Sequence, residues 1–467
     1  MPLCSVLPQV VIPISVITGS DKKEGPMIVG IDDTDSKTGM CTTYLCAVLV
    51  DELGCYGKVS IPRLVRLNPC IPYKTRGNGA VAFEIKLHQP GADEVVKELI
   101  KARVNELAEV HAEETNPGVV FIREERALRM PAEHLRDLQQ FYELAVKEVV
   151  TLEHAFALLA ELQIEHYGLK QKRGVIGALA ATAFFMLQQH WPAQYDVTYE
   201  LIAYRKRARW GTPRVIEPAS VWQADAATYP LTWDTVDHSN KNLVLAPHSP
   251  CPVLFGVRGD RVDAIMRAYE LITAEQVERE TLFITNQGTD SHLITGEELE
   301  GSLSEYHSYR IEGTVASEPR PIKGGHVVFQ LAIARPAEER IDCIAYEPTK
   351  QFREIVRSLR AGDELTTYGS FGSGTQNLEK IEVRAVNTEA TRNPRCERCG
   401  KRMKSAGRAQ GYRCKRCGTH RSSQEREIVA RALNEGLYEV PPAARRHIAK
   451  PLIRLRNAGA QKIHPSR

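Results

Sequence analysis

The sequence predicts a multidomain α+β protein, and three observations carry that reading. Residues 27–53 pass from a short apolar strand through three clustered carboxylates into a helix; residues 309–387 alternate as five short strands with one helix after the third; and two C-x-x-C-G knuckles lie near the C-terminus. An acidic strand–loop–helix, a five-stranded unit and a thiolate ribbon need separate cores, which suits 467 residues at about 100–200 per domain. The expected division is an α/β domain over residues 27–150, a ferredoxin-like α+β domain over 151–300, an OB-fold β-barrel over 301–390, a zinc ribbon over 391–421 and a basic helical tail over 422–467. Residues 1–26 read as a disordered extension. Their apolar start lacks a basic segment and carries Pro2, Pro8 and Pro13, unlike a signal peptide.

Composition narrows the class. Apolar residues make up 43% and charged residues 25%, and no apolar run approaches the roughly 20 residues of a membrane span. No membrane and no obligate protein partner is expected. Eleven cysteines, seven of them scattered (Cys4, Cys41, Cys46, Cys55, Cys70, Cys251 and Cys343), indicate reduced, cytoplasmic usage rather than a disulfide framework. The net charge of +3 conceals an asymmetry. From Asn393 onward 19 Lys and Arg face 5 Asp and Glu, a balance of +14; the rest holds 42 against 53, a balance of −11. A basic tail on an acidic body suggests a bound polyanion, with a solvated basic helix as the alternative.

In chain order, residues 27–31 (M-I-V-G-I) form a buried strand that delivers Asp32, Asp33 and Asp35 to a loop. Gly39 permits a turn, Thr42 and Thr43 stand at the next helix start, and Leu45, Val48, Leu49 and Leu53 recur at helical spacing. Hard oxygen ligands beside a helix N-terminus suit phosphate and Mg²⁺; the competing reading is an exposed acidic turn with Thr42 as an ordinary N-cap. Residues 59–67 and 80–87 read as strands joined by N-P-C-I-P-Y-K-T-R-G-N-G, where Lys74, Thr75, Arg76, Gly77 and Asn78 could wrap a triphosphate or form a solvated hairpin loop. It is not a Walker A loop, lacking a terminal G-K-[ST]. Residues 92–109 are an amphipathic helix, 116–122 a strand after an Asn116-Pro117-Gly118 turn, and 131–166 one or two helices.

Gly174 and Gly177 open an apolar helix, either for close packing against a sheet or to receive phosphate. After a strand at 198–204, Arg205, Lys206, Arg207 and Arg209 beside Trp210 suit RNA stacking and phosphate contact, or form a solvated basic loop. Asp234 and Asp237 beside Trp233 could bind an organic dication. Residues 282–293 read as a strand ending in a polar turn, where Asn286, Gln287 and Asp290 could line a cleft. In the five-stranded unit, strands are expected at 309–316, 326–334, 340–346, 363–371 and 378–386, with a helix at 351–360. Such barrels often bind single-stranded nucleic acid, or serve domain packing.

Cys396-x₂-Cys399 and Cys414-x₂-Cys417, separated by 14 residues, are the strongest physical signal. Four thiolates give a closed tetrahedral Zn²⁺ site, hence a structural metal, and a redox pair is the poorer alternative. Arg395, Arg398, Arg413, Lys415 and Arg416 make the ribbon basic, and residues 424–436 and 443–457 read as basic helices.

The segments G-I-D-D-T-D-S, G-M-C-T-T-Y, N-P-C-I-P-Y-K-T-R-G-N-G-A, R-G-V-I-G-A-L-A-A, T-Y-E-L-I-A-Y-R, P-H-S-P-C-P-V-L-F-G-V-R-G and the knuckles in their N-P-x-C-x-x-C-G context resemble, in that order, the archaeal tRNA(Ile) 2-agmatinylcytidine synthetases. The resemblance spans residues 27 to about 418. It implies a kinase-like N-terminal domain and ATP-dependent joining of agmatine to C2 of the wobble cytidine of the CAU anticodon of tRNA(Ile), through phosphorylation of the C2 oxygen. By this resemblance Asp32, Asp33 and Asp35 hold Mg²⁺ and ATP, and Lys74, Thr75, Arg76, Gly77 and Asn78 serve the phosphates. Thr42 matches a threonine phosphorylated during turnover, and the barrel and ribbon hold the tRNA. Asp234 and Asp237 are assigned to agmatine on charge alone. Two other readings share the bland features: a non-catalytic RNA-binding factor, and an Mg²⁺-dependent phosphohydrolase.

Overall fold

The computed structural model describes residues 26–123, 130–299, 301–333, 339–456 and 462–467. The expected extension, residues 1–26, lies outside them but for Pro26. The chain runs β1 (Met27–Asp32), α1 (Thr42–Leu53), β2 (Gly57–Val59), β3 (Arg63–Arg66), β4 (Gly79–Leu87), α2 (Asp93–Leu107), β5 (Gly118–Arg123), α3 (Ala132–Lys147), α4 (Leu152–Glu161), β6 (Glu165–Gly168) and α5 (Gly174–His190). It continues through β7 (Thr198–Arg205), α6 (Pro218–Thr228), β8 (Thr232–Trp233), β9 (Val236–Asp237), β10 (Asn242–Leu243), β11 (Val253–Gly259), α7 (Val262–Leu271) and β12 (Val277–Thr285).

One sheet spans both halves of this region in the order β6-β5-β1-β4-β3-β12-β7-β11-β8, with β2 beside β4. Every neighbour is antiparallel except the β3–β12 pair, which joins the halves. In β1 the period of two is visible in the packing. Met27, Val29 and Ile31 enter one core with α1, and Ile28 enters the other with α5. Helix α5 is apolar all round, so it must be covered on every side. It lies between β1, β4 and β5 on one side and α3 and α4 on the other. Because β6 pairs with β5 and α5 covers β1, residues 151–190 pack against the first half of the sheet. In the second half β7, β8, β11 and β12 take the order β12-β7-β11-β8, with α6 and α7 packed on each other.

A second region begins with β13 (Leu293–Thr295), followed by β14 (His307–Val315), β15 (Arg320–Pro321), β16 (Val327–Ile333), β17 (Glu339–Ala345), α8 (Gln351–Arg357), β18 (Glu364–Gly372) and β19 (Thr375–Ala385). The pairings β14–β16, β16–β17, β17–β19, β19–β18 and β18–β14 close a five-stranded barrel, with β17–β19 its parallel pair. Strand positions and the helix between the third and fourth barrel strands match the sequence expectation. The ribbon follows: β20 (Glu389–Arg392) pairs with β24 (Glu425–Ile428), enclosing the sheet of β21 (Lys404–Ser405), β22 (Tyr412–Arg413) and β23 (His420–Arg421).

The basic helical tail is not what forms. Residues 425–428 are strand β24, β25 (Gly436–Glu439) returns to the barrel beside β19, and β26 (Ile463–His464) pairs with β25. Only 3₁₀ turns occur at Pro442–Ala444 and Leu452–Leu455. Pro451 interrupts the second expected helix, and in β24 half-buried Glu425 and Glu427 alternate with exposed Arg426 and Ile428.

Candidate active site

A cavity of about 730 Å³ is lined by the loop after β1, the start of α1, the 74–79 loop, residues 242–249 and residues 442–447. Sequence-distant loops therefore meet here. Asp32 ends β1, and Asp33 follows with φ +58°, a left-handed conformation that costs a side-chain-bearing residue about 1–2 kcal/mol. Strain of this kind is retained where the surrounding structure over-determines it, commonly at functional sites. The loop is tied from several sides. Ser36 Oγ accepts from the Thr38 and Gly39 amides at 3.2 and 3.1 Å, Thr115 Oγ1 donates to the Asp35 carbonyl at 2.7 Å, and the Glu109 amide donates to the Thr34 carbonyl at 3.1 Å.

The three carboxylates are not equivalent. Asp35 accepts from Thr75 Oγ1 at 2.8 Å and Arg76 Nε at 2.9 Å, and Arg76 also donates to the Met40 carbonyl. Asp35 thus joins the two loops rather than pointing a free charge into the cavity. Asp32 and Asp33 carry the electrostatic burden. Burial, then Asp33 beside it, lifts the Asp32 carboxyl well above its ordinary range; burial, then Asp35, pushes Asp33 to about 7. Two adjacent hard-oxygen donors that resist ionisation for want of positive charge fit a divalent cation. Asp35 is already engaged by Thr75 and Arg76, which leaves Asp32 and Asp33 as the pair suited to it.

Helix α5 makes room for that pair. A Cβ on Gly177 would overlap the Asp32 carboxylate, with Asp32 Cγ at 2.7 Å. Of the two roles open to Gly174 and Gly177, close packing is the one the geometry shows. Thr42 is the first residue of α1, after Cys41 as N-cap, and no side chain caps the helix. The Thr42 hydroxyl instead accepts from Thr34 Oγ1 at 3.1 Å at the cavity wall, so the ordinary N-cap reading fails. In the 74–79 loop, Lys74 donates to the Pro69 carbonyl, Asn78 Nδ2 donates to the Asn68 carbonyl at 2.8 Å, and Gly77 admits Arg66, whose Nη1 would lie 2.9 Å from any Cβ there.

Asp234 and Asp237 take a different place from the dication site expected of them. Asp234 is ion-paired with Arg445, and Asp237 accepts from the Asn240 amide at 2.9 Å, from Asn240 Nδ2 at 2.7 Å and from the Ala443 amide at 3.3 Å. Both are buried and neither lines the cavity. The 205–210 cluster also differs: Arg205 is fully buried on Glu275, at 2.8 Å, while Arg207 lies over Trp210 at 5.8 Å. Asn286, Gln287 and Asp290 are tied to Arg66, Glu200 and Lys450 rather than lining the cleft. Sequence reading missed Arg66, Arg173, Glu200, Arg258, Arg445 and His447 as cavity residues. Arg173, Glu200 and Arg258 stand in three of the segments that carried the resemblance, the one signal that could have found them.

Away from the cavity, the sulfurs of Cys396, Cys399, Cys414 and Cys417 all lie within 4.8 Å of one another. Gly400 and Gly418, at φ +67° and +69°, turn each knuckle, and the Cys417 amide points to Cys414 Sγ at 3.4 Å. This arrangement fits tetrahedral Zn²⁺.

Comparison with known proteins agrees with this geometry. Family models described as the TiaS TCKD domain, the TiaS FLD domain and the TiaS C-terminal zinc ribbon domain match residues 28–171, 172–292 and 393–433. The tRNA(Ile) 2-agmatinylcytidine synthetase TiaS of Methanosarcina acetivorans is 48% identical over 94% of this chain and 100% of its own. The chain belongs to the TiaS family. The TiaS of Archaeoglobus fulgidus is 45% identical over 92% of this chain and 98% of its own. Among solved structures, a complex of TiaS with tRNA(Ile) and ATP matches at 43% identity and TM-score 0.83, and a complex of TiaS with tRNA(Ile), AMPCPP and agmatine at 40% and 0.80, each over 95% of this chain and 100% of that one. The chain is thus a multidomain α+β TiaS protein with a closed barrel and a C-terminal zinc ribbon. No helix among the described residues is long and apolar enough to cross a membrane.

Proposed function

We propose that this TiaS chain is an ATP-dependent carbon–nitrogen ligase. It joins agmatine to C2 of the wobble cytidine of the CAU anticodon of tRNA(Ile), phosphorylating the C2 oxygen and then displacing it with the amine. The observation that carries the reading is the cavity that gathers the Asp32–Asp35 loop, the α1 start and the 74–79 loop, in a chain whose full-length relatives bear that name and whose solved relatives hold tRNA(Ile), ATP and agmatine. It disfavours a non-catalytic binder, which needs no buried, strained carboxylates.

The oxygen at C2 is a poor leaving group until it is phosphorylated, and phosphoryl transfer is chiefly positioning and charge stabilisation. Asp32 and Asp33 would hold Mg²⁺, which supplies the charge that draws phosphate oxygens into line. Asp35 fixes Arg76 and Thr75, so that the 74–79 loop offers Lys74, Arg76, Gly77 and Asn78 to the nucleotide from one side. Thr42 stands opposite at a helix N-terminus, where a phosphorylated hydroxyl is stabilised. The first half is read as the kinase-like unit. The β12-β7-β11-β8 order with two helices supports a ferredoxin-like second half, and the ring of β14, β16, β17, β19 and β18 an OB-fold. Barrel and ribbon would grip the tRNA while the target base leaves its stack. Acting on tRNA, the enzyme would work in the cytoplasm.

The test is incubation with ATP, Mg²⁺, labelled agmatine and tRNA(Ile) transcript. Label is expected on the tRNA and is lost when the wobble cytidine is replaced. ATP consumption without incorporation would sink the ligase reading in favour of a hydrolase.

A further inference from the structure

The cavity holds a second cationic group beside the 74–79 loop. Arg66 and Arg258 both line it. Arg258 is anchored through Nε to Glu200 Oε1 at 3.0 Å, and Gln287 donates to the other Glu200 oxygen. A Cβ on Gly256 would meet Glu200 Oε1 at 2.6 Å, so glycine there keeps the anchor in place. Arg66 is clamped by its backbone: Asn286 Oδ1 accepts from the Arg66 amide at 2.7 Å and Asn286 Nδ2 donates to its carbonyl at 2.9 Å. Its guanidinium donates through Nη1 to the Gly77 carbonyl at 3.2 Å, while Nε is buried with no hydrogen-bond partner among the described residues. Two half-buried guanidiniums face one fully buried carboxylate, Glu200, with Asp35 a weaker influence on Arg66 than Glu200. His447 records that field: Arg258, then burial and Arg66, hold its imidazole neutral, well below the ordinary range. A half-buried cation with a buried, unused Nε donor calls for an anion, and paired guanidiniums match a phosphate geometrically.

We propose that Arg66 and Arg258 form a phosphoryl-binding subsite distinct from the Asp32–Arg76 loops. It rests on the reading of this cavity as the reaction centre. The phosphoryl group comes either from the RNA strand beside the target base or from the nucleotide as released phosphate.

The experiment titrates inorganic phosphate into the full-length zinc-loaded protein, with a non-hydrolysable ATP analogue present and absent. It compares wild type, Arg66→Gln and Arg66→Lys. Phosphate affinity is expected to fall about tenfold in Arg66→Gln and to recover at least partly in Arg66→Lys, which keeps the charge. A tRNA carrying a neutral methylphosphonate next to the wobble nucleotide separates the sources. If the RNA supplies the group, this tRNA binds wild type about tenfold more weakly and Arg66→Gln no more weakly than normal tRNA. If released phosphate fills the subsite, the methylphosphonate acts equally on both proteins, and only wild type shows phosphate inhibition. Phosphate affinity equal in wild type and Arg66→Gln overturns the subsite. Failure of the ATP analogue to bind would instead sink the functional reading, and the titration without it still decides this one.

Discussion

Replacing Gly177 with alanine should disable the enzyme while leaving it folded. Alanine inside an exposed helix is worth about 1 kcal/mol over glycine, so propensity alone predicts a gain. Here the added Cβ would fall inside the Asp32 carboxylate, with Asp32 Cγ at 2.7 Å and Cβ at 3.0 Å. Restoring ordinary contact requires a shift of about 1 Å. Helix α5 cannot supply it by backing off a little, because α3 and α4 cover its far side, and it is already seated closely on β1 and β5 at Gly30 and Gly118. A Cβ at those positions would already meet Thr182 Cγ2 at 2.7 Å and Val175 Cα at 2.7 Å. Asp32 must therefore turn away. Overpacking of this kind costs about 1–3 kcal/mol of stability, and misplacing a reacting group by about 1 Å costs on the order of 100-fold in rate. The assay is agmatine incorporation into tRNA(Ile) under saturating ATP, beside tRNA affinity and zinc content, both expected at wild-type values. A Gly177→Ala enzyme retaining more than about a third of wild-type turnover would refute the claim that α5 sets the position of Asp32.

Asp33→Asn should abolish turnover with tRNA binding nearly unchanged; intact turnover would remove Asp33 from the metal role. The same substitution should raise the unfolding temperature in cation-free buffer at pH 8. Asp33 has its folded pKa raised from 3.8 to about 7, so its ionisation opposes folding increasingly as pH rises through that window and not below it; equal melting of both proteins at pH 8 would contradict this. Cys399→Ser should lose zinc and weaken tRNA binding without unfolding the remainder, and full zinc content by metal analysis would count against the ligand set. Asp234→Asn should cost about 1.5–3 kcal/mol of stability by removing one of the two carboxylates that pair with the buried Arg445, and leave the KM for agmatine unchanged; a raised KM in a stably folded variant would return Asp234 to the substrate.

What the sequence disclosed and what it hid divide along the range of the interaction. The β1–loop–α1 unit and the knuckles are local: strand period, three carboxylates in four positions and ligand spacing are all written within a few residues. The barrel strands were legible for the same reason, since each alternates on its own. The tail was not. Its expected helices are strands and 3₁₀ turns, and three of its cations face inward: Arg445 pairs with Asp234 and Glu439, Lys450 with Asp196, and Arg454 with Asp196 and Asp260. Composition counts charges but cannot say which ones face a partner more than 150 residues away.

That misreading carries a structural consequence. The ribbon is inserted between β19 and β25, so the chain leaves the barrel, forms the four-cysteine site and returns. On its return it places Arg445 and His447 in the wall of the cavity, and the Gly288 amide donates to the His447 carbonyl at 2.9 Å. The same short stretch reaches the barrel through Arg446, whose Nε lies 3.1 Å from Glu379. One segment thus touches the barrel, the second half of the sheet and the cavity wall. A substitution such as Asp234→Asn would loosen this clasp, and it would be misread as a substrate contact if activity alone were measured. Stability and agmatine KM must therefore be read together, since only their combination separates a clasp from a binding site.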